Sequence, residues 1–138
     1  MKATKKSQYA LRAMIILSKK KKEITSLRVI ADKEGIPAFY LEKVFSMLKK
    51  NNLVESKRGV LGGYFLAREP EKITLKDIFN AVGESVQIVD CFSSKCPKSG
   101  NCEASKAWIK VNKKIEETLS LIKLSDLIAG AESASIKI

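Results

Sequence analysis

Thr25-Ser26-Leu27-Arg28-Val29-Ile30-Ala31, followed by Gly35-Ile36-Pro37-Ala38 and Leu41-Glu42-Lys43-Val44, is the stretch whose spacing decides the fold. Ala31 is small enough for two helices to cross closely, Gly35 comes four positions later, and Leu41 and Val44 stand ten and thirteen positions after Ala31. Thr25 or Ser26 offers a hydroxyl that caps a helix by accepting backbone N–H bonds. Gly35 accommodates the left-handed conformation that ends this helix, and Pro37 begins the next, where a missing N–H costs nothing. From Ala38 onward, Leu41, Val44, Phe45 and Leu48 share one apolar face, while Tyr40, Glu42, Lys43, Ser46, Lys49 and Lys50 lie largely off it. Leu53-Val54-Glu55-Ser56 then reads as a strand, Lys57 through Gly63 as a glycine-rich tip, and Tyr64-Phe65-Leu66 as the return strand. Helix, turn, helix and hairpin in this order predict a winged helix-turn-helix, mainly α with a small β-wing.

On the amino-terminal side, Ser7 through Leu17 reads as a helix capped by Ser7, with Tyr9, Ala13, Ile16 and Leu17 on one face and Ala10 and Met14 widening it. Lys19-Lys20-Lys21-Lys22 reads as a charged, solvated loop. Beyond the wing, Arg68-Glu69-Pro70 breaks the strand, and Thr74 with Asp77 has the capping-box spacing of a helix that buries Leu75, Ile78, Phe79 and Val82 and ends at Gly83. Cys91 through Cys102 is loop-like in composition. From Glu103 to about Leu121 the stripe Ala104, Trp108, Val111, Ile115, Thr118 or Leu119, and Ile122 predicts a long helix. Such a stripe can pack on its own domain or on a second copy; two-fold symmetry suits palindromic DNA, so a dimerisation helix is expected. A short helix over Leu124–Gly130 closes the reading. The expected organisation is residues 1–83 as the DNA-binding domain, 84–102 as a cysteine-rich loop, and 103–138 as the dimerisation helix with a carboxy-terminal helix.

The composition sets outer bounds. The chain has 138 residues, 45% of them hydrophobic, enough for one core. Its 26 basic against 15 acidic residues give a formal charge of +11, which favours a polyanionic partner. No apolar run approaches the roughly 18 residues of a membrane span. The basic amino terminus also lacks a signal cleavage site, so a cytoplasmic location with no membrane partner is expected. The absence of histidine removes the usual general base and the commonest metal ligand; no nucleophile–base pair is evident either, which argues against an enzyme.

The candidate DNA-reading residues follow from the fold. Ala38, Phe39, Tyr40, Glu42 and Lys43 belong to the turn that faces a major groove, where Lys43 can donate to guanine and Glu42 can accept from cytosine. The plain alternatives are a solvated carboxylate for Glu42 and packing for Phe39 and Tyr40. Arg58 and Gly59 lie at a tip narrow enough for a minor groove, whose negative potential attracts arginine; a solvated hairpin is the alternative. The three cysteines, Cys91, Cys96 and Cys102, are separated by four and five residues. Metal binding, redox-active thiols and ordinary cysteines all remain open from the residues alone.

Tyr40-Leu41-Glu42-Lys43-Val44-Phe45-Ser46-Met47-Leu48 through Leu53-Val54, then Arg58-Gly59 and Gly62-Gly63-Tyr64, closely resemble the IscR/NsrR/CymR-type family of bacterial regulators. So do Tyr9-Ala10, Gly83-Glu84-Ser85-Val86, Trp108 and Leu124-Ser125-Asp126-Leu127. The resemblance implies a homodimeric regulator, in the first instance a repressor, with Glu42, Lys43 and Arg58 reading a double-stranded operator. It also implies an iron–sulfur cluster on Cys91, Cys96 and Cys102, 2Fe-2S ahead of 4Fe-4S. IscR-like members space their cysteines evenly and supply a histidine three residues after the last; here that position is Ser105. NsrR-like members take a carboxylate from the partner subunit's first helix, and the matching position here is Gln8. Gln8, Glu103 and Ser105 are therefore the side-chain candidates for a fourth ligand. The alternative is a cluster-free regulator of the same fold, gated by thiol oxidation or by a partner protein of cysteine metabolism.

Overall fold

The computed structural model describes residues 2–89 and 103–128. Helix α1 spans Lys5–Lys19, α2 Leu27–Glu34 and α3 Ala38–Lys50; strands β1, Val54–Lys57, and β2, Gly63–Leu66, form an antiparallel hairpin. A short 3-10 turn, Pro70–Lys72, leads into α4, Leu75–Ala81; after the cysteine segment come α5, Ala104–Leu121, and a further 3-10 turn, Leu124–Leu127. The cysteines lie outside the described residues.

The caps show how closely local chemistry sets these elements. Ser26 rather than Thr25 caps α2, its hydroxyl accepting from the Val29 N–H at 3.2 Å. Gly35 takes φ +66°, the left-handed conformation that stops α2. Pro37 sits one position earlier than expected, as the cap of α3, and its carbonyl accepts from the N–H groups of Tyr40 and Leu41. Thr74 and Asp77 form the reciprocal capping box, at 3.1 and 3.0 Å. Helix α1 begins earlier than its spacing suggests: Thr4 is the cap, and Ser7 is fully buried one turn inside, where it accepts a hydrogen bond from the Thr4 hydroxyl. The closing helix is also tighter, a 3-10 turn ending at Leu127.

One core joins all these pieces. Ala10, Ala13, Met14 and Leu17 of α1 are inaccessible to solvent, as are Leu41, Val44, Phe45 and Leu48 of α3 and Ile73 before α4. At full burial the larger of these side chains contribute about 1.5–3 kcal/mol each, so the packing of α1 on α3 is a substantial part of the core. The end of α5 enters the same core through Leu119, and Leu124 beyond it is 1% exposed. Backbone bonds lock this return: Leu75 N–H donates to Ile122 at 2.9 Å and Leu124 N–H to Ile73 at 2.8 Å. Residues 103–128 thus share the core of the amino-terminal domain at their carboxy-terminal end. The first half of α5 stands away from it, with Trp108, Ile109 and Val111 exposed.

Candidate nucleic-acid interface

The turn between α2 and α3 leaves the first turn of α3 at the surface. Ala38, Phe39, Glu42 and Lys43 are exposed, and Phe39 keeps 68% of its surface in solvent. Tyr40 behaves differently: its ring packs edge-on against Tyr9, centroids 5.4 Å apart, which ties the start of α3 to α1. Among the described residues, no ion pair engages Glu42, Lys43 or Arg58. Their charges remain available to an external partner.

The wing is fixed to this reading head by three links. Tyr64 of β2 exchanges backbone hydrogen bonds with Thr25, donating at 2.8 Å and accepting at 2.9 Å, so the residue before the α2 cap acts as a third, one-residue strand. The Tyr64 ring lies 4.5 Å from that of buried Phe45, joining wing to α3. Lys49 of α3 donates to the Ser56 hydroxyl of β1 at 2.7 Å. Arg58 and Gly59 occupy the exposed tip beyond these links, beside exposed Lys57. The structure therefore carries the exposed turn of α3 and the wing tip on one framework.

Thr25 and Tyr64 brace the wing, a structural role that the sequence alone did not reveal. A β-branched residue immediately before a helix cap, and an aromatic residue immediately after two glycines, are the signals that could have found them. The cation at Lys49 was visible, but its hydroxyl partner, Ser56 on β1, comes into reach only once the chain turns after α3.

Of the residues proposed around the cysteines, Cys91, Cys96 and Cys102 lie outside the described residues. Gln8 on α1 donates through its side-chain amide to the Ala3 carbonyl at 3.0 Å. Glu103 is exposed at the cap of α5, and Ser105 is half-buried in the first turn of that helix. The segment before the cysteines is anchored: Ile88 N–H donates to the side-chain oxygen of buried Asn112 on α5 at 3.3 Å, and Glu84 accepts from Thr4 N–H at 2.7 Å. Among the described residues no group of three or more cysteine, aspartate or glutamate side chains is placed to hold a metal, and no helix is long and apolar enough to cross a membrane.

Comparison with known proteins agrees with this geometry. Residues 3–130 match the Rrf2 family, described as an iron-dependent transcriptional regulator. The chain is 34% identical to the HTH-type transcriptional regulator IscR of Xenorhabdus nematophila over 134 residues, 96% of this chain and 82% of that one. It superimposes on CymR, the global cysteine regulator of B. subtilis, with a TM-score of 0.79 at 34% identity, covering 94% of this chain and 97% of that one. Against IscR of T. potens the TM-score is 0.76 at 35% identity, covering 100% and 93%.

Proposed function

Because the chain belongs to the Rrf2 family of transcriptional regulators, we propose that it is a cytoplasmic, homodimeric repressor whose grip on operator DNA is set by an iron–sulfur cluster on Cys91, Cys96 and Cys102. Its relatives are regulators rather than enzymes. The observation that carries the DNA-reading assignment is the solvent-facing set Glu42, Lys43 and Arg58, without ion pairs among the described residues, on a framework locked by Thr25, Phe45 and Tyr64. Ala38, Phe39 and Tyr40 shape the turn entering the major groove, Lys43 and Glu42 offer a donor and an acceptor to base edges, and Arg58 with Gly59 takes the wing to the minor groove.

The donor set fits the proposed cofactor, since three thiolates are the soft ligands that iron–sulfur clusters take. When bound, the group supplies a centre sensitive to redox state and to small reactive ligands. The chain's own residues connect that loop to the reading head. Asn112 holds Ile88 to α5, Glu84 holds the start of α1, and Tyr9 of α1 bears on Tyr40 of α3. Gln8, Glu103 and Ser105 are the side chains from which a fourth ligand would come. The dimer reading is supported by Trp108, Ile109 and Val111, which α5 leaves in solvent beside the half-buried Ile115. Pairing of two such helices would bring two reading heads to the halves of a palindrome.

Anaerobic purification, followed by an absorption spectrum and counts of iron and sulfide, tests the cofactor assignment. A coloured protein with about two irons per subunit is expected for 2Fe-2S, and about four would indicate 4Fe-4S. Colourless protein that also resists anaerobic reconstitution overturns it. The second reading, a cluster-free regulator gated by thiol oxidation or by a partner protein of cysteine metabolism, is supported by the likeness to CymR and by Ser105 in place of the expected histidine.

A further inference from the structure

The tip of the wing carries two large apolar side chains that the fold leaves uncovered. Val60 is 103% exposed and Leu61 is 90% exposed, the two most exposed large hydrophobic residues among those described. Folding of the protomer gives them no burial, so their apolar surface is available to a partner. The apex is tightly closed: Gly62 N–H donates to Gly59 at 3.0 Å, and a Cβ at Gly62 would lie 2.2 Å from the Lys57 carbonyl oxygen. The backbone therefore turns back sharply and leaves Val60 and Leu61 at the outermost point of the hairpin.

The surroundings decide what kind of partner fits. Lys57 and Arg58 are exposed just before the apolar pair, separated from it by Gly59, and neither is ion-paired among the described residues. Behind this apex the exposed side chains of Ile24 and Val29, with Glu23 and Lys20, line a shallow pocket together with Val60 and Leu61. The projecting point itself is the apolar pair beside two cations, which suits a narrow anionic slot. The minor groove, about 6 Å wide, is such a slot: phosphates line its rims and base edges its floor, and apolar base faces become accessible where a step opens. The two cations beside the apex, Lys57 and Arg58, complement phosphates and favour this slot as the occupant. The links through Thr25 and Phe45 brace the wing base, so force at the tip is resisted by the core.

We infer that Val60 and Leu61 are an apolar wedge that enters the minor groove and partly unstacks one base step beneath the wing. The inference rests on the DNA-reading assignment and deepens it. Arginine supplies attraction at the groove, whereas the wedge adds a cost that depends on how easily the step opens. Pyrimidine–purine steps open most easily, so the wing selects sequence through deformability without a base-edge hydrogen bond.

The test uses the full-length protein and a duplex recovered by that protein from a random pool, with 2-aminopurine placed in turn at positions under the wing. Binding of the wild type is expected to raise 2-aminopurine emission at one step, and replacing that step with a stiff one should weaken binding about tenfold. The double variant Val60→Ser/Leu61→Ser should still bind with the same salt dependence, leave emission at the free-duplex level, and lose the preference for the flexible step. A bound duplex that stays stacked under the wild type, or equal emission with the variant, overturns the wedge alone. Failure of the wild type to retain any duplex at low salt overturns the DNA-reading assignment and the wedge with it.

Discussion

Replacing Gly63 with alanine is the sharpest way to ask whether backbone contact holds the wing to the helix-turn-helix. A Cβ at this position would lie 2.3 Å from the Thr25 carbonyl oxygen, 2.5 Å from the Thr25 carbonyl carbon and 2.8 Å from the Ser26 nitrogen. All three are backbone atoms, so no rotamer change relieves the overlap, and either β2 or the start of α2 must move. The neighbouring Thr25–Tyr64 pair, with hydrogen bonds of 2.9 and 2.8 Å, is the first casualty. Two such bonds contribute about 0.5–1.5 kcal/mol each, so the substitution should cost about 1–3 kcal/mol before any strain in the hairpin is added. Urea unfolding at fixed protein concentration measures the loss as a lower midpoint with little change in slope. In the fraction that remains folded, operator affinity should also fall, because the displaced wing carries Arg58. An unchanged midpoint would refute the steric argument. Lower stability with undiminished operator affinity would refute the claim that wing placement matters for binding.

Other perturbations address separate parts of the account. Thr74→Ala removes the capping box of α4 and should cost about 1 kcal/mol, read from the same unfolding experiment. Arg58→Ala should weaken operator binding and lower the salt slope by about one while leaving the dimer intact, as measured by titration at several salt concentrations. Trp108→Glu puts a charge on the exposed stripe of α5 and should shift the protein towards monomer in analytical ultracentrifugation. Cys96→Ala should abolish the visible absorption of anaerobically purified protein; retained colour would remove Cys96 from the ligand set.

The elements of the reading head were legible because their determinants are local. Ser26, Gly35 and the Thr74–Asp77 pair act within a few residues of themselves, and the apolar spacing of Leu41, Val44, Phe45 and Leu48 shows which face of α3 is buried. What was less legible depends on partners distant in the chain. Thr25 reads equally well as a cap until Tyr64 is placed beside it. Thr4 and Ser7 are both competent caps of α1, and the choice falls to Thr4 because the Ser7 side chain is enclosed by the core. The stripe on α5 looked uniform in sequence, yet it divides: Leu119 enters the domain core, while Trp108 and Val111 remain at the surface. Asn112 interrupts the apolar pattern of that helix, and its reason emerges only with Ile88 as the donor across the chain.

The most direct test of the account is an anaerobic titration of an operator duplex with one preparation of the full-length protein, divided into cluster-loaded and chelator-stripped halves. A coupling of about 1–3 kcal/mol between the cysteine loop and the reading head predicts affinities that differ by about 5–150-fold. Equal affinities in the two halves would contradict the claim that the cysteine loop governs DNA binding.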